Sequence, residues 1–385
     1  MPDWRTYAVG DVAEVFDGPH ATPAKTDDGP WYLSISSLVS GRLELAGSAH
    51  LSEDDFTRWT RRVTPSPGDV LFSYETRLGE AALMPEGVRA ALGRRMGLLR
   101  PRRELVDPRF LLLAYRSPAF QQVLTERRVH GATVDRIPLV DLPRWPIEIP
   151  SFRTQEHVSA VLGALEDKIA INDRIARTGR DLGQTIFASQ VAASSIALQD
   201  VCAVVMGQSP PGASYNEAGE GIPFYQGTRD FGFFFPGRRV WCTAVTRRAA
   251  AGDVLVSVRA PVGAVNVAAE VCGIGRGLAA LRAHASPHVL SHALTADPAV
   301  WAPFEGEGTV FSSIDKKRLH ALKLKWPDRE SEARLDQELR ALDERVAAAL
   351  LENRSLAALR DFLLPELMSG RLRVRDAERA AEEAV

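Results

Sequence analysis

Cysteine is almost absent from this sequence: the 3 residues, Cys202, Cys242 and Cys272, stand far apart and form no C-x-x-C pair. That spacing offers neither a disulfide framework nor a zinc site, and it fits a reduced compartment. No apolar run approaches the length of a membrane span, and MPDWRTYAVGDV lacks the charged-then-apolar pattern of a signal peptide. The expectation is a cytoplasmic chain with no membrane partner. Charge of one sign is also missing: 47 Lys and Arg against 49 Asp and Glu leave a net charge of −2. Neutrality argues weakly against a polyanionic partner but does not exclude one, because a nucleic-acid reader needs only a local basic face. Residues 191–326 carry 13 basic against 10 acidic side chains, and residues 327–385 carry 10 against 14.

Catalytic patterns are equally scarce. The 8 histidines are scattered, and neither H-E-x-x-H nor Gly-x-Ser-x-Gly occurs. Phe304-Glu305-Gly306-Glu307-Gly308 matches an F-x-G-x-G cofactor loop, yet DPAVWAP and TVFSSID flank it where a strand and a helix would be needed. Ser209-Pro210-Pro211-Gly212 lacks the aromatic that would stack on a flipped base. Gly273, Gly275 and Gly277 precede no Gly-Lys-Ser/Thr and read as a turn between strands. We therefore expect no catalytic residue, cofactor or metal; any chemistry belongs to a partner.

What the chain does contain is itself, twice. At 385 residues two or three domains are expected. Asp11-Val12 and Gly18 recur as Asp200-Val201 and Gly207, offset 189. Gly68-Asp69-Val70-Leu71 recurs as Gly252-Asp253-Val254-Leu255, and Arg100 as Arg282, with offsets of 184 and 182. From Ile137 onward the offset stays at 177, carrying Leu162, Leu165 and Ile169 onto Leu339, Leu342 and Val346. WYLSISSL, GDVLFSY, GIPFYQG and GDVLVSV read as short strands, and 108–129 and 287–296 as helical stretches.

Each copy ends in a longer helix. Leu335, Leu339, Leu342, Val346, Ala349, Asn353, Leu356, Arg360, Leu363 and Leu367 follow alternating steps of four and three, a heptad seam. Val158, Leu162, Leu165, Ile169, Asn172 and Ala176 share its register. A helix over 153–190 would be about 57 Å long at 1.5 Å per residue. The expected fold is α+β: two pseudo-repeated globular domains, 1–150 and 191–327, separated by two long antiparallel helices, 151–190 and 328–371, that form a coiled coil, with a charged tail at 372–385. Asn172 and Asn353 either fix its register or fray to solvent.

The segments PSFRTQEHVSAVLGALEDKIAINDRI and LLENRSLAALRDFLLPELMSGRL, each after a globular part closed by GATVDRIPLVDLPRWPIEIP or GTVFSSIDKKRLHALKLKWP, resemble the specificity subunits of Type I restriction-modification systems. The resemblance covers nearly the whole chain. It implies that each globular part is a target-recognition domain reading one half of a split double-stranded DNA site. It also implies two methyltransferase subunits docked on the helices and a restriction-translocation subunit for cleavage. A coiled-coil scaffold that binds proteins through its ends is the other reading.

For DNA contact the matched loops supply candidates. Arg77 and Arg259 follow equivalent Gly-Asp-Val strands, and arginine reads guanine bidentately. Glu75 either accepts from cytosine or holds Arg77 in place. Lys316 and Lys317, beside Ser312 and Ser313, form the densest basic run and suit phosphate. Thr133, Arg136 and Gln208 complete the set. The positions matching Lys316, Lys317 and Arg318, which are Leu139, Val140 and Asp141, are not basic, so the two copies cannot hold DNA identically. The Phe231–Phe235 run is expected to pack in a core.

Overall fold

In a computed structural model, the described residues are 3–131, 134–191, 194–304, 313–372, 376, 377 and 379. The chain divides into two compact units, Met1–Ala170 with Asn353–Val385, and Ile171–Glu352. Helices of five or more residues are α1 (Glu53–Trp59), α2 (Pro108–Arg116), α3 (Pro118–Arg127), α4 (Phe152–Gln190), α5 (Pro287–Ala296), α6 (Lys316–His320) and α7 (Glu332–Met368). The helical stretch expected over 108–129 consists of two helices. Ser117 ends the first and caps the second, its hydroxyl accepting from the Phe120 N–H with Pro118 at the first helical position.

The first unit is built on an antiparallel sheet of β1 (Ala13–Asp17), β2 (Val70–Ser73), β3 (Ala81–Leu83) and β4 (Met96–Pro101), in the order β1-β4-β2-β3. Both faces are covered. Val70 and Phe72 point into the core containing α2 and α4, while Leu71 points into a second core with Leu33, Met84 and Leu98. At the start of β2, Asp69 accepts from the Ser66 N–H at 2.8 Å and pairs with Arg100 of β4 through Nε and Nη2 at 3.0 and 2.7 Å. The unit closes where Arg5–Ala8 pairs antiparallel with Pro146–Ile149, just before α4. Residues 353–368 of α7 run along residues 152–170 of α4, with Leu356, Leu363 and Leu367 sharing a core with Val158, Leu162 and Leu165. Gln155, 1 % exposed, ties α4 to the globular part by accepting from Asp107 N–H and donating to the carbonyls of Leu105 and Pro150.

The second unit has its own antiparallel sheet, β5 (Cys202–Met206), β6 (Val254–Ser257), β7 (Val265–Val267) and β8 (Leu278–Ala283), in the order β5-β8-β6-β7. Val254, Val256 and Leu281 face one core, and Leu255, Leu278 and Ala280 another. Asp253 accepts from the Ala250 N–H at 2.7 Å and pairs with Arg282 of β8 at 2.9 and 2.8 Å. Ser195–Ala197 pairs antiparallel with Lys323–Lys325, just before α7. Here Asn172 donates to Glu352 at 2.7 Å, Arg180 to Asp343 at 3.0 Å and Gln190 to Glu338 at 2.9 Å. Partner numbers fall along α7 as they rise along α4, so these segments run antiparallel. Of the phenylalanine run, Phe234 is buried and Phe233 is exposed.

Candidate nucleic-acid interface

In the first unit the site forms where β2 ends. The apolar strand stops at Ser73, whose hydroxyl donates to the Glu75 carbonyl at 2.6 Å and turns the chain. Tyr74 is buried; burial first, then the nearby Asp17 carboxylate, push its phenol far above the ordinary range, so it stays protonated. Glu75 forms an isolated antiparallel bridge with Arg136, and the Ile137 N–H donates to the Tyr74 carbonyl at 2.8 Å. Two candidates separated by sixty residues of sequence are thereby brought together. Thr133 lies outside the described residues.

Of the two alternatives for Glu75, the structure does not show it holding Arg77 in place. Its carboxylate pairs instead with Arg95 Nε at 2.9 Å, while Arg77 donates to the Ile35 carbonyl at 3.0 Å and pairs with Glu80 at 3.3 Å. Thr76 and Arg95 hold φ values of 70° and 72°, a region costly for side-chain-bearing residues and above all for a β-branched one. A cleft of about 610 Å³ opens beside them, lined by Thr76, Arg77, Glu80, Arg128 and Asp135 among others. Thr76, Arg95 and Arg128 are not among the residues singled out from the sequence. The adjacent pair Arg94-Arg95 was the available signal.

The second unit repeats the joint with different side chains. Ser257 donates to the Pro261 carbonyl and accepts from the Ala264 N–H at 2.9 Å, fixing the loop after β6. Arg259 bridges antiparallel to Ser313, and the Ile314 N–H donates to the Val258 carbonyl at 3.0 Å. Arg259 is exposed, and among the described residues no carboxylate pairs with it. Two residues on, Asp315 caps α6 by accepting from the Arg318 N–H, leaving Lys316 and Lys317 exposed. Gln208 is exposed as well; its N–H donates to the Ile274 carbonyl at the edge of the glycine-bearing turn before β8. That turn also contacts the Arg259 loop, because Val258 N–H donates to the Gly277 carbonyl at 2.8 Å. The structure thus gathers Gln208, Arg259, Ser313, Lys316 and Lys317 around neighbouring loops. Ser312, and the F-x-G-x-G fragment beyond Phe304, lie outside the described residues.

Cys202, Cys242 and Cys272 are free and buried, and burial pushes the thiols of Cys202 and Cys272 up to about 12. What the loops offer is guanidinium, ammonium, hydroxyl and amide groups on rigid strand ends, the set that contacts phosphates and base edges. Among the described residues no helix is long and apolar enough to cross a membrane.

No family model matches the chain. It is 25 % identical to a protein of Methanocaldococcus jannaschii described provisionally as the type I restriction enzyme MjaX specificity subunit, over 97 % of this chain and 94 % of that one. A type I restriction-modification S subunit from M. genitalium has a similar fold, with a TM-score of 0.64 at 14 % identity over 95 % of this chain and 96 % of that one. The HsdS subunit from Thermoanaerobacter tengcongensis is 28 % identical over 96 % of each chain, with a TM-score of 0.35. Over nearly its whole length, then, the chain is similar to a type I restriction enzyme specificity subunit, and its α+β fold is like that of the S subunit from M. genitalium.

Proposed function

We propose that the chain is the DNA specificity subunit of a type I restriction-modification complex, a non-catalytic reader of a split site that directs adenine methylation and cleavage by partner subunits. The observation that carries this reading is the relationship to a specificity subunit over 97 % of the chain. The geometry supports it: the two units carry sheets of one strand order, the same Asp–Arg staple and the same bridge after the second strand. We take them as two copies of one target-recognition domain, 1–150 and 191–327, that read different half-sites. Glu75, Thr133 and Arg136 serve the first, with Arg77 bracing their loop through Ile35 and Glu80, and Gln208, Arg259, Ser312, Ser313, Lys316 and Lys317 serve the second. The paired helices form the coiled coil on which two methyltransferase subunits dock, with a restriction-translocation subunit joining for cleavage, and they set the spacer. A protein-binding scaffold is not favoured by the full-length relationship.

Co-expression with the partner methyltransferase, followed by methylation-sensitive sequencing, tests the proposal. Adenine methylation at one bipartite motif, lost when this chain is omitted, is the expected result. Methylation that does not depend on the chain rejects it.

A further inference from the structure

The closing helix of the second unit presents Lys316, Lys317 and Arg318, whereas the matching positions of the first are Leu139, Val140 and Asp141. If both units hold DNA, the first must take its phosphate contacts from elsewhere. The end of α1 supplies a basic group on the first unit. Arg58, Arg61 and Arg62 are all exposed there, around a cleft of about 300 Å³ lined also by Asp17, Gly18 and Trp59. Arg62 is only loosely tied, 3.7 Å from Asp17. Among the described residues, Arg58 and Arg61 pair with no carboxylate, and Arg58 lies over the Trp59 ring, 5.9 Å from its centroid. The Trp59 indole N–H is buried without a hydrogen-bond partner among the described residues. In the second unit, by contrast, Arg238 and Arg239 are occupied by Glu270 and Asp230 at 2.6 and 2.8 Å.

The cleft also adjoins the candidate reading loops. Gly18 N–H donates to the Met96 carbonyl, Tyr74 N–H donates to the Arg95 carbonyl, and Arg95 pairs with Glu75. A backbone of contacts therefore runs from the cleft wall to the Glu75–Arg136 bridge. We infer that Arg58 and Arg61, beside Trp59, are the phosphate-backbone contact of the first unit on duplex DNA. They fill the role for which the second unit uses α6. This rests on the DNA-reading function proposed above. Such contacts position the protein and carry no sequence information.

The test uses the complete complex with its methyltransferase, comparing wild type, R58Q/R61Q and R58K/R61K. Binding is measured to the duplex bearing the methylated motif, and to one with a half-site scrambled, between about 50 and 200 mM salt. R58Q/R61Q should weaken binding to both duplexes by the same factor. It should reduce the slope of log K against log salt by about 1.8, two contacts at about 0.9 each. The lysine pair should restore the slope, and the methylated motif should be the same in all three. An unchanged slope overturns the inference, as does a loss confined to the intact motif or a changed motif. Both arginines are exposed, and a thermal melt coincident with wild type shows that the fold is kept. The single variants R58Q and R61Q serve if the double variant melts early. A wild-type complex that directs no methylation would instead reject the DNA-reading function itself.

Discussion

Arg259 and Ser313 face each other across an antiparallel backbone bridge, as Glu75 and Arg136 do in the other unit. The bridge fixes the backbone of Arg259 while its guanidinium stays exposed and, among the described residues, without a carboxylate. A rigid base with a free planar donor suits base reading. Arg259→Ala should cost about 1–3 kcal/mol of discrimination at one position of one half-site, with stability unchanged. Methylome sequencing together with a thermal melt checks this.

Arg77 should behave differently although it matches Arg259 in its loop. Its guanidinium is engaged by the Ile35 carbonyl and Glu80. Arg77→Ala should lower stability by about 1 kcal/mol, read by urea denaturation, with most of the motif retained. A changed motif at full stability would make Arg77 a base reader after all.

Gly263 sits at φ 85°, and a Cβ there would collide with the buried Trp301 ring; Gly79, φ 87°, meets only the flexible side chain of Gln121. Gly263→Ala should therefore destabilise by about 2 kcal/mol or more, combining backbone strain with overpacking. Gly79→Ala should cost less. Equal melting temperatures for the two variants would contradict this.

Acid should weaken the second unit through His292. Its ring is fully buried against Asp343, Arg180 and His288, and burial lowers its pKa below the ordinary value despite the Asp343 carboxylate. A depressed histidine binds its proton more readily unfolded, so stability is lost as pH falls below about 6.5. Burial opposes ionisation of Asp343 too, but hydrogen bonds from His288 and His292 and the charge of Arg180 outweigh it and hold the carboxyl below its usual range. Asp343 therefore stays ionised well below the window in which His292 titrates. The melting temperature should fall between about pH 7 and 5, and His292→Asn should flatten that fall. Identical profiles would refute the assignment.

The α+β character and the strands after each Gly-Asp-Val were legible because they rest on local signals. Asp69 and Asp253 recur with Arg100 and Arg282 since each pair staples a turn to the neighbouring strand, a role that needs both residue types. The partner of Glu75 was not legible. Arg95 reaches it from another loop, and the positive φ of Thr76 and Arg95 follows from contacts rather than composition. The break between α2 and α3 was legible in principle, as Ser117-Pro118 is a helix-start signal inside an apolar stretch.

The central claim is that each globular part reads its own half-site. Replacing residues 191–327 with those of a specificity subunit of different motif, then sequencing the methylome, tests it most directly. The account predicts that one half of the bipartite motif changes while the other half and the spacer stay as they were. A motif that changes in both halves, or in neither, would contradict it.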